Sequence, residues 1–544
     1  MPDMQAPKTP EYTAEYDAII VGAGFSGLYQ LHALRDRLGL SVRVLEAGDG
    51  VGGTWYWNRY PGARCDSESY YYSYSFSKEL EQEWEWSERY PEQPEIMRYL
   101  NHAAERFGLK RDIQFGTRVT HAAFDEAAGR WQVATEAGER FSAQFLITAV
   151  GCLSSTNVPK IPGLESFAGE WHHTGRWPHG GVDFRGKRVG LVGTGSTGIQ
   201  ATPVIARDAR HLTVFQRTAN YSIPARNGPM SAEARAEIKR NYAAIREKSR
   251  GSTNGHPWDI SAASALDAGP EERMALYEDA WKVGGLRFRA AFKDLLSHPE
   301  ANETASEFIR GKIREVVHDP ATAELLTPRD HGFATKRPPI DTEYFETFNR
   351  DNVSLVDVRA HPIEAISRDG LRTTEGEHKL DMIVFATGFD AMTGPLLAMD
   401  IRGRGGAALA EAWTAGPRTY LGLQVAGFPN LLTITGPGSP SVLCNMPTAI
   451  EQHVDWITDC IRHLRDHRLA RIEARAEAAE RWVAQVNEAA HATLLPTAAS
   501  SWYLGANVPG KPRVFMPYAG GLARYAGICR EVAANGYEGF VLGR

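Results

Sequence analysis

The chain has 544 residues, of which 43% are hydrophobic and 23% charged, and its formal net charge is −6. This balance is typical of a globular protein and excludes a disordered or fibrous chain, a nucleic-acid scaffold and a polybasic membrane surface. The longest strongly apolar stretch, 145–153, is too short to span a bilayer. Residues 1–15 are polar, contain proline and lack an apolar signal-peptide core, so a loose leader is predicted. Five cysteines without a CxxC motif argue against a disulfide framework and favour a cytoplasmic location.

A dinucleotide-binding pattern follows the leader. The apolar run 18–21 predicts a buried strand, a glycine-rich turn and a helix come next, and a second strand over 41–45 is followed by Glu46. In such a G-x-G-x-x-G turn the first glycine permits a tight bend, the second lets the backbone approach a pyrophosphate, and the third lets helix and strand pack closely. An acid after the second strand accepts hydrogen bonds from an unphosphorylated ribose, which predicts FAD or NAD here. The glycines are Gly22, Gly24 and Gly27.

The same pattern returns later in the chain with a different acceptor. Strands are predicted over 188–192 and 212–215, and Arg217 stands where the first unit has its acid. Because an arginine pairs with a 2′-phosphate, this unit is predicted to bind NADP. An apolar strand within 380–390 ends in Ala-Thr-Gly, a turn typical of flavoproteins with two dinucleotide domains. The glycines of this second unit are Gly193, Gly195 and Gly198.

A flavin with NADPH allows disulfide reduction, electron transfer or oxygen activation. The missing CxxC argues against the first, and the missing iron–sulfur ligand set weakens the second. A third pattern precedes the second glycine motif and reads F-x-G-x-x-x-H-x-x-x-W-P. It resembles the fingerprint of the flavin-dependent Baeyer–Villiger monooxygenases. We expect its histidine to order the domain junction and not to act as an acid or base. The matching residues are Phe167, Gly169, His173, Trp177 and Pro178.

The resemblance extends over nearly the whole chain, and segment 436–446 is similar to the phenylacetone and steroid monooxygenase branch. It implies an α/β fold with two Rossmann-like dinucleotide-binding domains, for FAD and NADP, and a helical insertion. The FAD domain is expected over 1–152 and 390–544. The NADP domain is expected over 153–228 and 333–389, with the insertion at 229–332. A long helix is predicted over 449–467.

The same resemblance implies the site residues. Arg337 is similar to the family's catalytic arginine, and Asp66 to the carboxylate that holds it. A substrate pocket is implied at Ser441, Val442 and Leu443. FAD contacts are implied, besides the first glycine motif, at Ser26, Glu46, Thr54, Trp55, Tyr56, Trp57, Asp66, Tyr72, Val119 and Met446. NADP contacts are implied, besides the second glycine motif, at Thr194, Ser196, Thr197, Gln200, Arg217, Thr218, Lys336, Arg337 and Trp502. No metal site is expected, and Cys152 departs from the polar residue often found in relatives.

The activity implied is NADPH- and O2-dependent oxidation of ketones to esters or lactones through a flavin peroxide, on bulky or aryl ketones, with sulfoxidation as a side activity. Two alternatives stay open: a flavin-containing N- or S-monooxygenase, and a non-catalytic FAD- and NADP-binding redox sensor. The expected partners are the ketone and O2, with no nucleic acid, no membrane and a monomeric chain.

Overall fold

The computed structural model describes residues 14–544. Its strands are β1 Ala14–Val21, β2 Val42–Leu45, β3 Ile113–Gln114, β4 Val119–Asp125, β5 Arg130–Thr135, β6 Arg140–Thr148, β7 Glu170–His173, β8 Arg188–Val192, β9 His211–Gln216, β10 Ile223–Pro224, β11 Ile340–Asp341, β12 Val353–Asp357, β13 Ile363–Ser367, β14 Gly370–Thr373, β15 Gly376–Lys379, β16 Met382–Phe385, β17 Asp400–Arg402, β18 Leu431–Thr433, β19 Arg471–Ala474 and β20 Phe540–Gly543. Its α-helices are α1 Phe25–His32, α2 Thr54–Trp57, α3 Lys78–Glu83, α4 Gln93–Arg106, α5 Ser196–Asp208, α6 Ala232–Gly251, α7 Pro270–Val283, α8 Pro299–Val316, α9 Pro320–Leu326, α10 Tyr344–Thr347, α11 Gly394–Leu397, α12 Leu409–Ala412, α13 Met446–Asp466, α14 Ala476–His491 and α15 Leu522–Ala534.

The first sheet has eight strands in the order β17-β4-β5-β6-β1-β2-β3, with β18 also paired to β6. Strand β1 lies between β2 and β6 and is parallel to both. Its residues alternate between two cores: Ile20 packs in one with α1 and α13, and Ile19 packs in the other with β4 and β5. Coverage of both faces explains the uninterrupted apolar run in the sequence.

The second sheet is entirely parallel, in the order β12-β9-β8-β16-β7. Strand β8 lies at its centre, where Val189 pairs with both Leu212 and Met382. Because the carboxyl ends of parallel strands meet at one edge, the second glycine turn, Arg217 and the turn at 386–388 share that edge. The predicted α/β fold class with two Rossmann-like sheets is confirmed.

Helices α6 to α9 occupy the part of the chain between β10 and β11. Phe308 and Ile309 of α8 belong to the core that also contains Val189 of the second sheet. Arg246 of α6 is buried, donates to Glu81 at 2.7 Å, and donates to the carbonyl oxygen of Tyr74 at 3.0 Å. The helical stretch is therefore fastened both to the second sheet and to the segment between β2 and β3 of the first sheet.

The starts of β1 and α13 differ from the sequence predictions. Ala14 and Glu15 are part of β1, because they pair with Phe141 and Ser142 of the longer strand β6. The predicted leader is wrong for those two residues, and its other residues lie outside the described range. The long helix α13 begins at Met446, with proline in its first turn, and not at 449. Among residues 14–544, no helix combines the length and apolarity needed to cross a membrane.

Candidate functional site

The first glycine turn is built for close approach of a ligand. Gly22 has a φ of +104°, and a Cβ on Gly27 would lie 1.8 Å from the carbonyl oxygen of Gly22. Helix α1 then begins with no side-chain cap and no acid in its first turn, which leaves its N–H groups available to an anion. Ser26 is buried in that turn. The geometry fits a pyrophosphate.

Glu46 is fixed beside this turn. Its Oε2 accepts from the N–H of Ala23 and its Oε1 from the N–H of Gly48, both at 2.7 Å. Burial raises the pKa of Glu46, and the backbone donors act against that rise. Each oxygen keeps a further lone pair, so the carboxylate can also accept ribose hydroxyls.

The aromatic segment of α2 lies against the first turn. A Cβ on Gly53 would lie 2.9 Å from the Cα of Gly24, so the backbone at Gly53, just before α2, is in direct contact with the first glycine turn. Trp55 is buried and donates from Nε1 to the hydroxyl of Tyr72 at 3.1 Å. The remaining predicted FAD residues vary in exposure: Thr54 is exposed, Tyr56 is buried and accepts from the N–H of Asp49, Trp57 is half-buried, Val119 has its side chain in the core of the first sheet, and Met446 is half-buried at the start of α13.

The second glycine turn repeats the first. Gly193 has a φ of +112°, and a Cβ on Gly198 would lie 2.1 Å from the carbonyl oxygen of Gly193. Nothing lies within 4 Å of a Cβ placed on Gly195. Ser196 and Thr197 open α5, which has no side-chain cap and no acid in its first turn. Open space at Gly195 and an uncapped helix start again fit a pyrophosphate.

Two other predicted NADP residues turn toward protein groups. Thr194 donates from Oγ1 to the carbonyl oxygen of Thr218 at 2.7 Å, which joins the turn to the end of β9. Gln200 accepts from the hydroxyl of Tyr60 at 2.8 Å and donates to the carbonyl oxygen of Arg64 at 3.1 Å. The side chain of Gln200 therefore holds segment 60–64 against α5.

A cationic cluster lies at the carboxyl edge of the second sheet. Arg217 is exposed, and Arg359 donates to Oγ1 of Thr218 at 3.2 Å and pairs with Asp330 at 2.9 Å. Burial lowers the pKa of Lys336, Asp330 opposes that effect, and Arg217 and Arg359 lower the pKa further. Arg359 was not expected from the sequence, because its place beside Thr218 depends on the parallel pairing of β12 with β9.

Arg337 and Asp66 form an ion pair, as predicted. Nε of Arg337 donates to Oδ2 of Asp66 at 3.3 Å, and its Nη1 donates to the carbonyl oxygen of Val442 at 3.2 Å. Burial lowers the pKa of Arg337, but Asp66, Tyr503 and Cys65 together outweigh that effect and the pKa is raised. Burial also raises the pKa of Asp66, with the guanidinium acting against the rise. Arg337 is thus a fixed cation at neutral pH.

A cavity of about 250 Å³ lies beside Arg337. Val442 and Leu443 line it, whereas Ser441 is fully buried and does not. Trp502 packs in the same apolar cluster as Leu443 and Cys152. Of the three pocket residues expected from the sequence, two face the cavity, because the 3-10 turn Ser441–Leu443 points its first side chain toward the carbonyl oxygen of Thr435.

The fingerprint residues lie away from this cavity lining. A Cβ on Gly169 would lie 2.6 Å from the ring of Phe167 and 2.3 Å from the carbonyl oxygen of Asp381, so the position requires glycine. His173 ends β7, accepts from the N–H of Gly175 at 3.1 Å, and has its Nε2 3.3 Å from Oγ1 of Thr387. Trp177 is buried, and Pro178 is half-buried after it. These contacts agree with a role for His173 in ordering the junction.

In the described range all five cysteines are buried without a disulfide, and no group of acids, histidines and cysteines could hold a metal ion. Two glycine turns, each on its own sheet and each followed by a helix without a side-chain cap, define the class of α/β proteins that bind two dinucleotides.

The comparisons agree with this class. Residues 16–227 match the model for the family described as FMO-like, flavin-binding monooxygenase-like. A "Baeyer-Villiger monooxygenase" of Pseudooceanicola batsensis is 44% identical over 100% of this chain and 99% of its own length. The "acetone monooxygenase (methyl acetate-forming)" of a Gordonia species is 45% identical over 97% and 99%. A solved structure of oxidised steroid monooxygenase bound to NADP is 55% identical, with a TM-score of 0.93 and coverage of 97% and 99%. The chain belongs to the Baeyer–Villiger monooxygenases, within this flavin-binding family.

Proposed function

We propose that the chain uses FAD, NADPH and O2 to convert ketones into esters or lactones. The observation that carries this proposal is the ion pair of Arg337 with Asp66, with Arg337 lining a cavity, in a chain that also has two glycine turns shaped for pyrophosphates. The overall reaction consumes ketone, O2, NADPH and one proton, and yields ester, NADP⁺ and water. Bound FAD supplies the reduction of O2 and the transfer of one oxygen atom.

The protein's own residues provide binding, orientation and charge. The first glycine turn and Glu46 hold one dinucleotide, and the second turn with the Arg217 cluster holds the other. The guanidinium of Arg337 lines the cavity, partly desolvated and oriented by Asp66 and the carbonyl oxygen of Val442. When the carbonyl carbon is attacked, negative charge develops on the carbonyl oxygen, and a preorganised cation stabilises that charge. Asp66 acts through Arg337 and is a positioning residue.

The preferred substrate class is proposed to be bulky or aryl ketones, with sulfoxidation as a side activity. The cavity of about 250 Å³ has apolar walls that include Trp258, Phe292 and Leu295, which suit a ring-bearing group. The 55% identity to a steroid monooxygenase supports this size class, whereas the relative named for acetone does not.

The domain limits expected from the sequence are likewise proposed for the chain. We also propose that the chain is a monomer. The first sheet draws strands from 14–148 and from 400–433, which supports a discontinuous FAD domain at 1–152 and 390–544. The second sheet draws strands from 170–216 and from 353–385, which supports an NADP domain at 153–228 and 333–389. Four helices between them support the insertion at 229–332.

Product analysis tests the function. The purified holoenzyme is incubated with NADPH, O2 and a panel of linear, cyclic and aryl ketones, with an aryl methyl sulfide and a tertiary amine in parallel. Ester or lactone formed in proportion to NADPH consumed supports the proposal. Consumption of NADPH that yields only hydrogen peroxide with every ketone contradicts it. Oxidation of the amine or sulfide alone would favour the N- or S-monooxygenase, and no NADPH oxidation would favour a redox sensor.

A further inference from the structure

The cavity beside Arg337 has an unbalanced charge. Its lining includes the cationic side chains of Arg289, Lys293 and Arg337, and no aspartate or glutamate. Asp66 compensates Arg337 from behind the wall, at 3.3 Å. Two cations therefore remain without a compensating acid in a cavity whose other walls are mostly apolar.

Of these two cations, Arg289 is the one that is half-buried. It lies in the 3-10 turn Gly285–Ala290, which follows α7. Among residues 14–544, its guanidinium has neither a hydrogen-bond partner nor an ion-pair partner. Arg287, in the same turn, instead pairs with Glu68 at 3.0 Å. Burial lowers the pKa of Arg289 and Arg337 lowers it further, with only Tyr503 acting against them.

A half-buried guanidinium without an anion is unfavourable, since its desolvation is not offset by a partner. Its planar fork of donors is the group that binds a carboxylate in a bidentate manner. Lys293 and Ile260 line the same cavity and are both exposed, Ile260 to 43%. The cavity therefore opens to the surface beside a cationic residue. A cation at a mouth attracts anions from solution.

We propose that Arg289 binds a carboxylate of the substrate, so that the preferred ketones are oxo acids whose carboxylate lies apart from the reacting carbonyl. The inference rests on the proposed ketone oxidation and adds the chemical class of the substrate's second group. Apolar residues Leu286, Phe292 and Leu295 also line the cavity and suit the hydrocarbon part. A cavity of about 250 Å³ suits an acid of the size of an aryl ketone and not a nucleotide-sized carrier.

The test compares one ketone in two charge states. The substrates are 4-(4-carboxyphenyl)butan-2-one and its methyl ester, offered to the FAD-loaded enzyme with saturating NADPH, and kcat/KM is taken from the oxygenated product. We expect the acid to be preferred about tenfold or more, which is the range of a charge-assisted hydrogen bond. In Arg289→Leu we expect the ratio of kcat/KM for the acid to kcat/KM for the ester to fall to about one, because KM for the acid rises. KM for NADPH should stay within about twofold of its value in the unaltered enzyme. Arg289→Lys keeps part of the preference, and added salt reduces it.

Arg402→Ala is the matched control, because Arg402 is exposed on β17 of the first sheet and pairs only locally with Asp400. This control should retain the full ratio. Equal kcat/KM for acid and ester in the unaltered enzyme would overturn the inference. An equal loss for both substrates in Arg289→Leu would do the same, because it would indicate a packing role. A raised KM for NADPH in that variant would assign the cation to the dinucleotide.

Failure of the proposed function can be told apart from failure of this inference. If neither ketone is oxygenated, calorimetric titration of the oxidised holoenzyme with the acid still measures binding directly. Binding that is at least tenfold weaker in Arg289→Leu would support the carboxylate site although ketone oxidation had failed. Identical affinities in the two proteins would overturn the site. Turnover of the ester but not of the acid would reject the site and leave the proposed function standing.

Discussion

Nε of Arg337 lies 3.3 Å from Oδ2 of Asp66, across a separation of 271 residues in the sequence. The contact joins the loop after the helical stretch to the segment that follows α2. Nη1 of the same guanidinium reaches the carbonyl oxygen of Val442 at 3.2 Å. Three distant parts of the chain therefore fix the direction of one cation, and this preorganisation is what electrostatic stabilisation of a developing charge requires.

Replacement of Arg337 should separate flavin reduction from oxygenation. Arg337→Ala removes the cation beside the cavity, and we expect ester formation to fall by about 10²-fold or more while NADPH still reduces the flavin. Asp66→Ala should lower ester formation too, because it leaves the half-buried Arg337 without its anion. Stopped-flow absorbance measures reduction, and gas chromatography measures the ester. An unchanged ester yield in Arg337→Ala would contradict the assigned role.

The second glycine turn predicts opposite outcomes for two similar substitutions. Gly195→Ala places a methyl group in open space, so the melting temperature should hold while KM for NADPH rises about tenfold or more, because the methyl group intrudes on the pyrophosphate. Gly198→Ala places a methyl group 2.1 Å from the carbonyl oxygen of Gly193, so the fold should lose about 1–3 kcal/mol. Thermal unfolding and NADPH titration on both variants check the pair. The same response from both would refute the steric distinction.

The glycine turns could be predicted from the sequence because each depends on a few neighbouring residues. Arg359 could not, since its place beside Thr218 depends on the parallel pairing of β12 with β9. The direction of Ser441 was missed for a similar reason: a 3-10 turn decides which of its side chains face the cavity. The two extra residues of β1 depend on the length of β6, which the local pattern does not contain.

The cluster at the edge of the second sheet should select NADPH over NADH. Lys336→Ala removes a half-buried cation, and we expect KM for NADPH to rise about 10- to 100-fold with little change for NADH. Arg359→Ala should raise KM for NADPH less, about threefold to tenfold, because Arg359 is exposed and shared with Asp330. Steady-state kinetics with both nucleotides measure this selectivity, and Arg402→Ala serves as the control. Equal effects on NADPH and NADH would show that the 2′-phosphate is bound elsewhere.

His173 should make the fold sensitive to acid. Burial, reinforced by Arg176, lowers its pKa from 6.5 to about 4, so the unfolded chain binds more protons than the folded chain between those values. Stability is therefore lost as the pH falls from about 6.5 toward 4. His173→Gln removes this titrating group, and the loss of stability over that window should be smaller by on the order of 2 kcal/mol. Urea unfolding at several pH values gives the slopes, and comparison of slopes cancels both the lost hydrogen bonds and the contribution of the other buried histidines. Parallel pH profiles for the two proteins would mean that His173 does not titrate in this range.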